Sequence, residues 1–177
     1  AFFFLAIILL TYLIIYIPRF DYIQGRILSF FNRETGTHNF QSDKAIDSIT
    51  SGGFFGKGIG EGILKNRVPE AHTDYIISVI SEEFGVVAIM LILLLFLIFI
   101  YMVFKKISFE TDDKIKLILI GSISLILMQA TIHIGVNIRL FPTTGMTLPF
   151  LSYGGSSIIS TSILAGIILN LTKRKIN

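Results

Sequence analysis

Three titratable side chains alternate at Glu70, His72 and Asp74, immediately before a long apolar run. Residues of these types offer two chemistries. A carboxylate beside an imidazole is able to take a proton from a hydroxyl. Two carboxylates with one ring nitrogen are also a sparse ligand set for a hard divalent cation such as Mg2+, with Asp74 and Glu70 as its oxygen donors. The spacing fits no dedicated metal motif, so no metal site is assigned. A purely structural reading stands beside these. Thr73 is a good N-cap residue, which puts Asp74 in a first helical turn where it complements the helix dipole. Ser78 and Glu82 follow Asp74 at i+4 and i+8 on one polar stripe, with Tyr75, Ile76, Val79 and Ile80 on other faces. Helix start and reacting carboxylate both remain open for Asp74.

Two further polar sets lie outside this cluster. Residues 52–62 carry six glycines in eleven positions around Lys57. They match neither of the glycine-rich nucleotide fingerprints, and no βαβ pattern surrounds them. Close backbone packing is the first reading, and a phosphate cradle that includes Lys57 is the second. Gln129, His133 and Asn137 recur every four residues inside an apolar stretch. Interhelical hydrogen bonding is the simple explanation, and a polar path toward Arg139 the alternative.

The elements that must position these groups are membrane helices. The chain has 177 residues, 53% of them hydrophobic and only 15% charged, whereas soluble domains carry about 25% charge. It has no cysteine, which removes disulfides and thiolate chemistry. A net charge of +3 is too small and dispersed for nucleic acid. The chain opens at Ala1 inside an apolar run, so an N-terminally truncated chain is expected rather than a signal peptide. Four spans are predicted, over residues 1–17, 85–104, 115–138 and 157–171. The second, at 1.5 Å per residue, covers about 30 Å, one hydrocarbon core.

Lys105, Lys106, Lys114 and Lys116 flank the loop 105–114, and Lys173, Arg174 and Lys175 lie in or beside the tail 172–177. Basic flanks mark the cytoplasmic side, so residues 18–84 and 139–156 are expected outside. The long external loop should hold short helices. Residues 20–31 are largely apolar with Arg26 inside and Arg19 and Arg33 flanking, an interfacial pattern, and Ala45, Ile46 and Ile49 recur at helical spacing. Residues 140–157 hold two prolines and three glycines between apolar spans, which predicts a re-entrant or interfacial loop buried by protein.

Residues 142–157, Pro-Thr-Thr-Gly-Met-Thr-Leu-Pro-Phe-Leu-Ser-Tyr-Gly-Gly-Ser-Ser, resemble the C-terminal signature of the bacterial shape, elongation, division and sporulation (SEDS) family, which includes FtsW, RodA and SpoVE. Residues 51–60, residues 69–75 with Glu82-Glu83-Phe84-Gly85, and Arg26 to Phe31 are similar to further family blocks, in family order. Gly60-Glu61-Gly62 and Pro69 to His72 look more like the division members than the RodA-type elongation members.

The resemblance implies an all-α polytopic membrane protein of ten spans, here its C-terminal part, in the bacterial inner membrane. It implies an inverting glycosyltransferase that polymerises lipid II into glycan strands at the external face, in septal wall synthesis. Asp74 matches the family's catalytic aspartate. Glu70, His72, Lys57, Arg139, Thr143 and Ser152 are the candidate substrate-binding residues. The partners implied are lipid II, a class B penicillin-binding protein transpeptidase and other division proteins. A lipid II flippase and a division scaffold are the competing readings. Relatives often carry Lys where this chain has Thr144, and Asn at His133, and Arg139 is the candidate substitute for the missing Lys.

Overall fold

The computed structural model describes residues 37–68 and 70–173, with the single positions 5, 12, 25 and 30. Apart from those four positions, the expected span at 1–17 and interfacial segment at 20–31 lie outside the described residues, as do Pro69, Arg174 and Lys175. Among the described residues five helices follow in order: α1 Thr37–Gly52, α2 Leu64–Arg67, α3 Ile76–Phe109, α4 Asp113–Asn137 and α5 Gly155–Lys173. No strand occurs among the described residues.

Helices α3, α4 and α5 are each long and apolar enough to cross a membrane. Their packing shows how they run. Val103 and Ile107 of α3 cluster with Leu119, Ile123 and Ile126 of α4 and Ile168 of α5, while Ile77 clusters with Ala130 and Leu148. The end of α3, the start of α4 and the end of α5 therefore share one end of the bundle, an up-down-up arrangement. Lys105, Lys106, Lys114, Lys116 and Lys173 all fall at that end, as the charge pattern predicts. The connection there is tighter than expected. Only residues 110–112 separate the helices, because Glu110 Oε1 accepts from the Thr111 and Asp112 amides and Asp112 caps α4 through Lys114 N at 2.9 Å.

At 34 residues, α3 is about 51 Å long, more than one hydrocarbon core. Gly85, at φ 79° and ψ −177°, divides it into a short segment before the break and an apolar rod after it. In a continuous helix Val86 N would donate to Glu82 O, and Val87 N to Glu83 O. Here each bond is opened and both halves are paired with the glycine-rich loop. Lys57 N donates to Glu82 O at 2.9 Å and Gly58 N to Glu83 O at 3.0 Å, while Gly53 O accepts from Val86 N at 3.0 Å and Phe54 O from Val87 N at 3.3 Å. A β-carbon on Gly85 would stand 2.2 Å from Phe54 O, and one on Gly56 2.2 Å from Glu83 O, so the backbones meet only because both residues are glycine. Close packing is what these glycines do.

A second core lies at the opposite end from the lysines. Ala45 of α1, Leu64 of α2, Val68, Ala71, Tyr75 and Val79 bury one another together with Val136 near the end of α4. This cap carries the turn 70–75 and fixes it to α4.

Candidate functional site

The turn that holds Asp74 is built from its own backbone. Asp74 N donates to Glu70 O at 3.0 Å, and the Thr73 hydroxyl is turned back onto Glu70 O at 3.1 Å. Thr73 is thus no helix cap, contrary to expectation. The N-cap of α3 is Tyr75, which makes no side-chain cap bond, and Asp74 stands outside the helix.

The segment from Asn137 to Tyr153 grips this turn from the other side. Tyr153 N donates to His72 O at 3.1 Å, Ser152 Oγ to Thr73 O at 2.8 Å, and Asn137 Nδ2 to Asp74 O at 2.9 Å. Three successive carbonyls are each captured by a different donor. The result is that the half-buried Asp74 side chain lies against Gly145: a β-carbon built there would be 3.7 Å from Asp74 Oδ2. Gly145 has φ 70°, a conformation L side chains rarely adopt.

The polar ladder of α4 holds that loop in place. Gln129 Nε2 donates to Thr147 O at 2.9 Å and to Ser157 Oγ at 2.8 Å. His133 Nδ1 lies 2.7 Å from Met146 O, so Nδ1 carries the hydrogen, and Nε2 is buried with no hydrogen-bond partner among the described residues. All three ladder side chains make interhelical or helix–loop bonds, as the simpler reading expected. Beside Gly145 a cavity of about 660 Å³ opens between α4, α5 and the loop. Gln129, Thr147, Ser156, Ser157 and Ser160 supply its polar wall, and none of its described lining is charged.

The predicted basic residues are committed elsewhere. Lys57 Nζ pairs with Glu82 Oε1 at 2.9 Å, and Leu64 N donates to the other oxygen at 3.0 Å. Glu82 lies ahead of the Gly85 break and outside the apolar rod. Burial pushes its carboxyl up, but the Leu64 and Ile63 backbone bonds and the Lys57 ammonium outweigh burial and hold it below its ordinary value. Arg139 forms an ion pair with Asp43 of α1. Of the other candidates, Glu70 and His72 are exposed and Thr143 is half-buried. Ser152 is 3% exposed, and its oxygen also accepts from Leu148 N at 2.8 Å, so it braces the loop from inside.

No metal site is assigned from the sequence, and among the described residues no three His, Asp or Glu side chains converge on a metal position. Asn137 enters the sequence reading only as part of the polar ladder, and Gly145 only as one glycine of the loop 140–157. The four-residue spacing signalled Asn137, and only the fold reveals Gly145 as the neighbour of the carboxylate.

The model of the FtsW/RodA/SpoVE cell cycle protein family matches residues 1–177. The chain is 37% identical over 158 residues to a probable peptidoglycan glycosyltransferase FtsW of Caulobacter vibrioides, covering 88% of this chain and 40% of that protein. Similar proteins of the same name occur in Enterococcus hirae, at 36% identity over 89% of this chain and 40% of the relative, and in Geobacter metallireducens, at 35% over 96% and 46%. A solved peptidoglycan synthase complex, described for its coordination of polymerization and crosslinking, contains a chain that superposes with a TM-score of 0.69 at 25% identity. That likeness covers 99% of this chain and 48% of the other. The chain thus spans less than half the length of these relatives.

Proposed function

The chain belongs to the FtsW/RodA/SpoVE cell cycle protein family, and from that premise we propose that it is the C-terminal part of a peptidoglycan glycosyltransferase that polymerises lipid II in septal wall synthesis. It is a multi-pass membrane protein, and its proposed working face is the external side of the bacterial inner membrane. The observation that carries this reading is the Asp74 carboxylate held against side-chain-free Gly145 at the edge of a neutral, hydroxyl-lined cavity.

In the proposed reaction Asp74 takes the proton of the acceptor sugar's 4-hydroxyl. That oxygen attacks the anomeric carbon of the donor, the carbon–oxygen bond to the lipid diphosphate breaks, and the configuration inverts. The diphosphate is already acidic, so it leaves without needing a proton, provided its charge is neutralised. Lys57 and Arg139 each face a carboxylate of this chain, which favours neutralisation by groups of the longer protein. Proposed partners are a class B penicillin-binding protein transpeptidase and other division proteins, in keeping with the synthase complex that the fold resembles.

The test is glycan-strand synthesis by the full-length parent protein supplied with lipid II. Wild type should elongate strands, and Asp74→Asn at equal expression should lose at least about 100-fold, the low end of what a positioned general base contributes. Equal elongation by both would remove Asp74 as the base. Lipid movement without polymerisation would favour a flippase, and neither activity would favour a scaffold.

A further inference from the structure

We propose that Asn137 keeps Asp74 out of helix α3, and so serves as the positioning residue for its carboxylate; this rests on the reading of Asp74 as the base. In an uninterrupted helix the amide of Ser78 would donate to the carbonyl of Asp74, four residues earlier. The Asn137 side-chain amide occupies that gap. Its Nδ2 donates to Asp74 O at 2.9 Å, and its Oδ1 accepts from Ser78 N at 3.2 Å and from Ser78 Oγ at 2.8 Å. The second Nδ2 hydrogen goes to His133 O at 2.9 Å. With both hydrogens and both lone pairs engaged and 0% exposure, the amide has one orientation, since a flip would set NH2 against the Ser78 amide.

The inserted amide decides where the helix starts. Val79 N donates to Tyr75 O at 3.1 Å, so Tyr75 is the N-cap. If Ser78 N donated directly to Asp74 O, the helix would begin one residue earlier and Asp74 would become the N-cap. Aspartate is among the best residues there because its carboxylate bonds the first free amides of its own helix. It would then turn toward Ile76 and Ile77 and away from Gly145. Asn137 thereby separates the two fates open to Asp74, helix cap and reacting carboxylate.

The test compares wild type, Asp74→Asn and Asn137→Leu in the full-length protein, in liposomes with a lipid-linked disaccharide pyrophosphate. Leucine fills similar space, and the Asp74 carbonyl and Ser78 amide freed by the change can pair with each other. Asn137→Leu is therefore expected to melt no lower than wild type while kcat falls by about 100-fold and KM stays within about twofold, the signature of a misplaced group. Asn137→Ala is too short to reach Asp74 O or Ser78 N and removes both bonds, and kcat should fall to the same degree. That variant decides the question should the leucine protein fail to accumulate. Retained kcat in a folded variant, or a lower melting temperature with specific activity intact, would overturn the proposal. If Asp74→Asn is as active as wild type, the reading of Asp74 fails and this inference falls with it.

Discussion

Replacing Gly85 by alanine tests how far the cap built on α1, α2 and the turn 70–75 depends on the opened helix. The backbone at φ 79° and ψ −177° is open essentially to glycine alone, and an L-residue held there costs about 1–3 kcal/mol. The added β-carbon would stand 2.2 Å from Phe54 O and 2.5 Å from Gly56 N. Both are backbone atoms, so no side-chain rotation relieves the clash and the loop must move away. Four backbone hydrogen bonds cross that contact, each worth about 1 kcal/mol net. Losing all four brings the cost to about 5–7 kcal/mol, comparable to the whole stability of many domains. One route opposes this. With alanine the helix could straighten and recover the two intrahelical bonds now open, at the expense of the docked loop. Thermal unfolding of the detergent-solubilised full-length protein, followed by the loss of its monodisperse size-exclusion peak, measures the balance. Gly85→Ala should melt about 10–20 °C lower than wild type. A shift within about 2 °C, equivalent to less than 1 kcal/mol, would refute the view that the loop docks through the break.

Two other perturbations separate bracing from chemistry. Lys57→Met leaves the Glu82 carboxylate with backbone donors only and should destabilise by about 1–3 kcal/mol, while Lys57→Met with Glu82→Gln should cost less than the two single changes together. Because Glu82 is held below its ordinary value of 4.5, the pair contributes fully above that pH and its contribution is lost as pH falls below it; melting curves of wild type should show an acid-side loss that Glu82→Gln lacks. Ser152→Ala removes the bonds to Thr73 O and Leu148 N, so it should lower kcat and melting temperature with KM little changed. A raised KM with kcat intact would instead make Ser152 a substrate contact.

The membrane helices were legible because length, apolar composition and flanking lysines act locally: the three expected spans within the described residues lie in helices long and apolar enough to cross a membrane, and the lysines gather at one end of the bundle. Asp74 was visible as a reactive residue type, but its setting was not. Thr73 has the preferred chemistry for an N-cap, yet its hydroxyl turns back to Glu70 O and its carbonyl is held by Ser152, so tertiary contacts override the local preference. The same physics operates at both ends of the segment between Asp74 and Val87. At each end, helical i to i+4 bonds are opened and foreign polar groups are inserted: the Asn137 side chain between Asp74 O and Ser78 N, and the backbone of residues 53–58 between Glu82–Glu83 and Val86–Val87. Those partners lie between 25 and 63 residues away in the chain, beyond any local pattern. Glycine content signalled the second insertion, since only residues lacking a β-carbon let two backbones approach so closely. Nothing comparable marks the first, because one asparagine on an apolar helix has the same spacing whether it joins two helices or sets the position of a carboxylate. Helix starts fixed by inserted groups are therefore where sequence periodicity fails, and at Asp74 that start decides which way the proposed base points.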